Sequence, residues 1–94
     1  MAILRIEHEI SDLGTWLDAF RRFAPAREAA GVRQTAVYQP FDDQHYIVVD
    51  LTFETVDAAT NFRTFLRDVV WKSPEASPAL VGAPTARVLT EVSL

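Results

Sequence analysis

Cysteine is absent from this 94-residue chain, which removes disulfides, thiolate nucleophiles and Cys-ligated zinc together. Histidine is nearly absent as well, occurring only as His8 and His45, with no His-x-His or His-Glu-x-x-His spacing. Asp42 and Asp43 are the carboxylates nearest to His45 in sequence, but they do not complete a ligand pattern, so no metal is expected. A glycine-rich phosphate loop, a nucleophile elbow and a Ser-His-Asp order are all missing. Basic charge is scarce. Nine Lys and Arg are scattered among thirteen Asp and Glu, giving a net charge of -4, so the basic stripe that nucleic acid requires is not there. No run approaches the roughly 20 apolar residues of a membrane span. Residues 1–10 alternate instead of forming an apolar leader, and the expectation is an intracellular protein, in the cytoplasm, that engages neither membrane nor nucleic acid.

What remains is rich in core-forming material: 49% of the residues are apolar and 11% aromatic, against 23% charged. A packed core can form without disulfides or a structural metal, and residues 1–94 are the size of one domain.

Periodicity then sets the elements. Residues 3–10 alternate, with Leu4, Ile6, His8 and Ile10 on one side and Arg5, Glu7 and Glu9 on the other, which predicts a strand with one dry face. Ser11 and Asp12 offer capping chemistry. Leu13, Trp16, Leu17, Phe20, Phe23 and Ala24 follow at three- and four-residue steps, predicting a helix broken or kinked near Pro25 and ended by Gly31. Residues 32–40 and 45–53 read as a hairpin turning at Asp42 and Asp43, and Pro40 puts its first strand on a sheet edge. Thr55 starts a second helix with the stripe Ala58, Ala59, Phe62, Phe65, Leu66 and Val69, stopping before Pro74. Residues 73–81 suggest one or two further helical turns stopped by Gly82, and residues 85–92 a last strand.

The order β-α-β-β-α-β is the ferredoxin-like plan, an α+β fold in which both helices cover one face of an antiparallel sheet. The other face should then carry Arg5, Glu7, Glu9, Tyr46, Val48, Asp50, Arg87, Leu89 and Glu91. Such a surface is either solvated or closed by a second copy through pairs such as Arg5 with Asp50 and Arg87 with Glu7.

Three passages carry a family likeness: a first helix beginning Leu13-Gly14-Thr15-Trp16-Leu17-Asp18-Ala19-Phe20, the Gly31-Val32 step into the hairpin, and the entry to the second helix from Phe53 through Ala58-Ala59 to Phe62. On these the chain resembles the dimeric α/β-barrel superfamily, in particular the small antibiotic-biosynthesis-monooxygenase-like proteins. The resemblance implies a homodimer whose two sheets face each other in a barrel, with a cleft between sheet and helices in each protomer. Family members include oxygenases of polycyclic aromatic substrates that use no metal or prosthetic group, heme-degrading oxygenases, isomerases and cyclases, so the fold alone fixes little chemistry. The heme-degrading branch takes its axial ligand from a histidine late in the second helix, and this chain has none after His45.

His8 is the leading candidate base, because alternation puts its imidazole on the dry face, where a titratable group near neutrality could move a proton. Strand pairing should bring His45 or Ile47 beside it, and His45 is a second, weaker catalytic candidate. A plainer reading leaves His8 partly buried and bonded to backbone, with His45 exposed at the turn. Trp16, Phe20, Phe62 and Phe65 are the expected walls of a pocket for a small apolar or aromatic molecule. Trp71 lies nine residues after Phe62, about 180° around a regular helix, and is expected off the core face, beneath residues 75–82 or against a partner. Tyr38, Tyr46 and Asp50 read as structural. The expected activity is therefore monooxygenase-like, without a cofactor, on an aromatic or polyketide-like molecule. The alternative is a homodimer that binds such a molecule without turning it over.

Overall fold

The computed structural model describes residues 1–94 and runs β1 (Ala2–Ile10), α1 (Leu13–Arg22), α2 (Ala24–Ala29), β2 (Gln34–Tyr38), β3 (Tyr46–Phe53), α3 (Val56–Phe65), a π-helical extension of α3 (Leu66–Val70) and β4 (Leu80–Thr90). The four strands form one antiparallel sheet in the order β2-β3-β1-β4, with three helices, an α+β ferredoxin-like fold. No helix is long and apolar enough to cross a membrane.

Parity decides which face is dry. Leu4, Ile6, His8 and Ile10 of β1 alternate with half-buried or exposed neighbours, and Ile47, Val49, Leu51 and Phe53 of β3 do the same opposite them. These side chains meet Trp16, Ala59, Phe62, Ala79 and Ala86 in one core. Asp12 begins α1 by accepting the Thr15 N–H at 2.8 Å, and Thr55 begins α3 by accepting the Ala58 N–H at 3.1 Å. Pro25 stands in the first turn of α2, where its missing N–H leaves no bond unmade, and Gly31 (φ +91°) lets the chain leave that helix in a left-handed conformation.

Two sequence expectations fail at the end of α3, for one reason. Val69 was placed on the apolar stripe and Trp71 opposite it, yet Val70 is the buried residue, Val69 is exposed, and Trp71 packs against the core. The Trp71 N–H donates to the Leu66 carbonyl at 2.8 Å, an i→i+5 turn that takes in one extra residue. The nine-residue step from Phe62 then counts as about eight helical ones, so Trp71 lies roughly 80° from Phe62 and not at about 180°.

The last strand also differs from expectation. Residues 73–79 form isolated turns in place of a helix, and β4 starts at Leu80, ahead of Gly82. Between the pairs Glu7↔Thr85 and Glu9↔Val81, the segment Gly82-Ala83-Pro84 bulges opposite His8. Gly82 takes φ +72° and Pro84 needs no donor there, so both breaker residues fit inside the strand.

On the open face the expected ion pairs form within the chain, and therefore are not free to reach across to a second copy. Arg5 donates twice to Asp50, both at 2.8 Å, the Tyr46 hydroxyl donates to Glu7 at 3.2 Å, and Arg87 stands 3.8 Å from Glu7. Their registers explain this, since Asp50 lies directly across from Arg5 on β3. Glu91 falls beyond the strand.

Candidate active site

A cleft of about 80 Å³ opens between the helices and the dry face of the sheet. Of its nineteen lining residues only His8, Arg27, Ser77 and the indoles of Trp16 and Trp71 carry side-chain polar atoms, and the Ser77 hydroxyl is committed to the carbonyls of Ser73 and Val70 at 2.8 and 3.0 Å. The floor is Ile6, Val49 and Leu51 of the sheet. The walls include all four aromatic residues expected there: Trp16, Phe20, Phe62 and Phe65. Trp16 stacks on Phe20 with ring centroids 4.6 Å apart, while Phe62 stands 5.7 Å from Phe65 and 5.9 Å from Phe53.

His8 is 7% exposed and points toward the helices, as the alternation requires. Its Nδ1 lies 2.8 Å from the Glu9 carbonyl, which can only accept, so Nδ1 carries the proton and Nε2 presents a lone pair. Nε2 has no protein partner and is not sealed from solvent, and His8 lines the cleft. Burial pushes the imidazole below its ordinary pKa of 6.5, only partly offset by the bond to the Glu9 carbonyl. At neutral pH His8 is therefore a neutral base, ready to accept a proton.

Linkage fixes the sign of the pH dependence. Above about pH 6.5 His8 is neutral in both folded and unfolded chains and contributes no pH dependence. As pH falls below that value, the unfolded state takes up the proton first, and stability declines until the lower folded-state pKa has been passed. An NMR titration of the imidazole is expected to place the His8 midpoint below that of an unfolded peptide; a midpoint at or above it would remove the buried-base description.

His45 does not join His8. Strand β3 begins only at Tyr46, so His45 sits exposed in the turn, its backbone carbonyl accepting the Ile10 N–H at 2.8 Å, and it borders a separate depression with Asp12, Leu13, Gln39 and Gln44. Ile47 is the residue paired with His8. No three His, Asp or Glu side chains converge as metal ligands.

Arg27 went unread in the sequence, although Trp16, Phe20, Phe23 and Arg27 are spaced by four, three and four residues. That spacing puts a cation on an apolar stripe. Trp71 and residues Ala76–Leu80 also line the cleft, and these positions depend on the π-turn and on the irregular segment that follows it.

Comparison with known proteins defines the class by its fold. No protein-family model matches the chain, and no curated protein is similar to it in sequence. Solved structures are similar over nearly its whole length. A candidate antibiotic biosynthesis monooxygenase of Bordetella bronchiseptica shares 13% identity at a TM-score of 0.73, with 98% of each chain covered. A dimeric ferredoxin-like protein from an uncultured marine organism shares 12% identity at 0.69, covering 100% of this chain and 97% of that one. A Streptomyces coelicolor monooxygenase in complex with nanaomycin D shares 16% identity at 0.65, covering 99% and 88%. The chain thus has the ferredoxin-like fold found in antibiotic biosynthesis monooxygenase proteins and dimeric ferredoxin-like proteins.

Proposed function

We propose that the chain is a homodimeric monooxygenase-like enzyme that acts on an aromatic small molecule in this cleft, with His8 as base and with no metal or prosthetic group. The observation that carries the reading is the free Nε2 lone pair of His8 in a wall that is otherwise almost wholly apolar. A quinol or an anthrone-type ring becomes electron-rich once it loses a proton, and His8 Nε2 is the acceptor. The carbanion or phenolate then reduces O2, carbon and oxygen combine to a peroxide, and O–O cleavage leaves a ring carbonyl. One oxygen atom stays in the product and the other departs as water. Dry walls favour this sequence by keeping bulk water from the anion.

The second copy is placed against the open sheet face, where Ile3, Val48 and Leu89 are half-buried between the paired charges. Because Arg5, Asp50, Glu7 and Arg87 already find partners within the chain, contact would not leave them unpaired. The dimeric description of the marine ferredoxin-like protein supports a homodimer.

Volume bears on what can enter. At about 80 Å³ the cleft is well below the roughly 300 Å³ at which small-molecule sites begin. A ring therefore enters as the half-buried Phe65 and Trp71 turn outward. The same small volume favours the alternative, a homodimer that holds a small apolar ligand without turnover.

An oxygen electrode separates the two readings. With the purified protein and an anthrone-type substrate, one O2 consumed per quinone formed, with no hydrogen peroxide released, is the expected result. Binding without uptake establishes the alternative, and absence of both discards the cleft as a site. Sedimentation showing a monomer at high micromolar concentration would remove the dimer.

A further inference from the structure

Arg27 is the one permanently charged group of the cleft, and its surroundings differ from those of the chain's ion-paired arginines. Arg5, Arg33 and Arg87 each stand within 4 Å of a carboxylate, whereas Arg27 has none. Its guanidinium carbon lies 3.6 Å from the centroid of the Phe20 ring, and one N–H donates to the Phe20 carbonyl at 2.6 Å. Trp16 stacks on the same ring, so Trp16, Phe20 and Arg27 form a three-layer stack that holds the guanidinium plane in place. Four of its five N–H groups have no protein acceptor. Burial disfavours its charged form, yet a guanidinium stays protonated at any physiological pH. A cation held in one orientation against an apolar wall, with free donors and no counter-ion, is suited to an anion from outside the chain.

We infer that Arg27 determines the specificity of the cleft, and that its ligand is an aromatic acid whose ring-borne carboxylate is received by the free N–H groups of Arg27. This rests on the reading above that the cleft admits an aromatic ring. The ring lies along the apolar wall and the carboxylate sets its orientation toward His8. The protein's overall charge of -4 repels anions, so any preference for one has to arise locally.

Naphthalene-2-carboxylate and its neutral carboxamide differ in charge but hardly in shape, and their affinities can be compared by calorimetry at moderate salt. Wild-type protein is expected to hold the carboxylate about tenfold or more tighter, the size of one charge-assisted hydrogen bond. Arg27→Gln should abolish that preference, and a circular dichroism spectrum matching wild type shows that the variant is folded. Arg27→Lys keeps the charge but not the fork and should retain part of the preference. Equal binding of the two probes by wild type overturns the inference and leaves the cleft reading standing. So does a loss in Arg27→Gln shared equally by both probes, which would make Arg27 a structural prop for α1. If wild type binds neither probe, the cleft admits no ring, and both readings fall together.

Discussion

His8→Ala is expected to lower oxygen uptake on a quinol or anthrone-type substrate by about 10²–10⁴-fold, the range contributed by a positioned general base. The size of the effect follows from the lack of a substitute. Arg27 is permanently protonated, the Ser77 hydroxyl is bound to two carbonyls, and His45 lies outside the cleft. The loss should fall on turnover and leave KM nearly unchanged, because the aromatic walls remain. His8→Gln, closer in size to the imidazole, is expected to be equally inactive and guards against a collapse of the site. In wild type the acid limb of the pH–rate profile should lie below the ordinary imidazole value of 6.5, since burial holds His8 neutral to lower pH. That limb should vanish in both variants. Undiminished turnover by His8→Ala would end the assignment of His8 as the base.

Phe53→Ala carries the largest expected cost in stability, about 3–5 kcal/mol, the range for removing a large buried aromatic side chain. Phe53 is completely buried at the end of β3, beside Ala2 of β1 and 5.9 Å from the Phe62 ring. Its removal opens a void where the sheet meets α3, and neighbours fixed by strand pairing cannot easily close it. For a domain near this size each kcal/mol lowers Tm by about 4–8 °C, so a fall of more than about 10 °C is expected. Denaturant titration should show a lower midpoint with an unchanged slope. Phe41→Ala, at a fully exposed ring in the β2–β3 turn, is the contrasting case and should move stability by no more than about 0.5 kcal/mol. Equal losses in the two variants would contradict this placement of the core.

Much of the fold could be read from β1 and β3, because a strand with one wet face writes its orientation as a period of two. Leu4, Ile6, His8 and Ile10 are buried on this account, and Ile47 through Phe53 repeat the pattern. The caps at Asp12 and Thr55 were equally local, each needing one side chain and an N–H three residues on. Pro40 pointed to an edge strand, and β2 is one. Reading failed where geometry departed from a fixed period. The π-turn after Phe65 displaced Val70 and Trp71 from their expected sides. The bulge at Gly82–Pro84 hid the first half of β4, because glycine and proline ordinarily break strands. At the site, His8 and the four aromatic walls were legible from parity and helical spacing. Arg27 was overlooked although its spacing was in plain view, because a lone arginine on an apolar stripe acquires meaning only when no carboxylate is found beside it.

By itself the sequence determined the element order, the dry face of each central strand and the placement of one imidazole on that face, because these follow from interactions within a few residues along the chain. Tertiary structure decided the rest: that His8 meets a cleft and not solid core, that His45 stays outside it, that Trp71 turns inward, and that Arg27 faces the same space without a counter-ion. Trp71's inward turn depends on one extra residue in a helical turn, and the other outcomes on how segments distant in the chain meet, none of which leaves a periodic trace in the sequence.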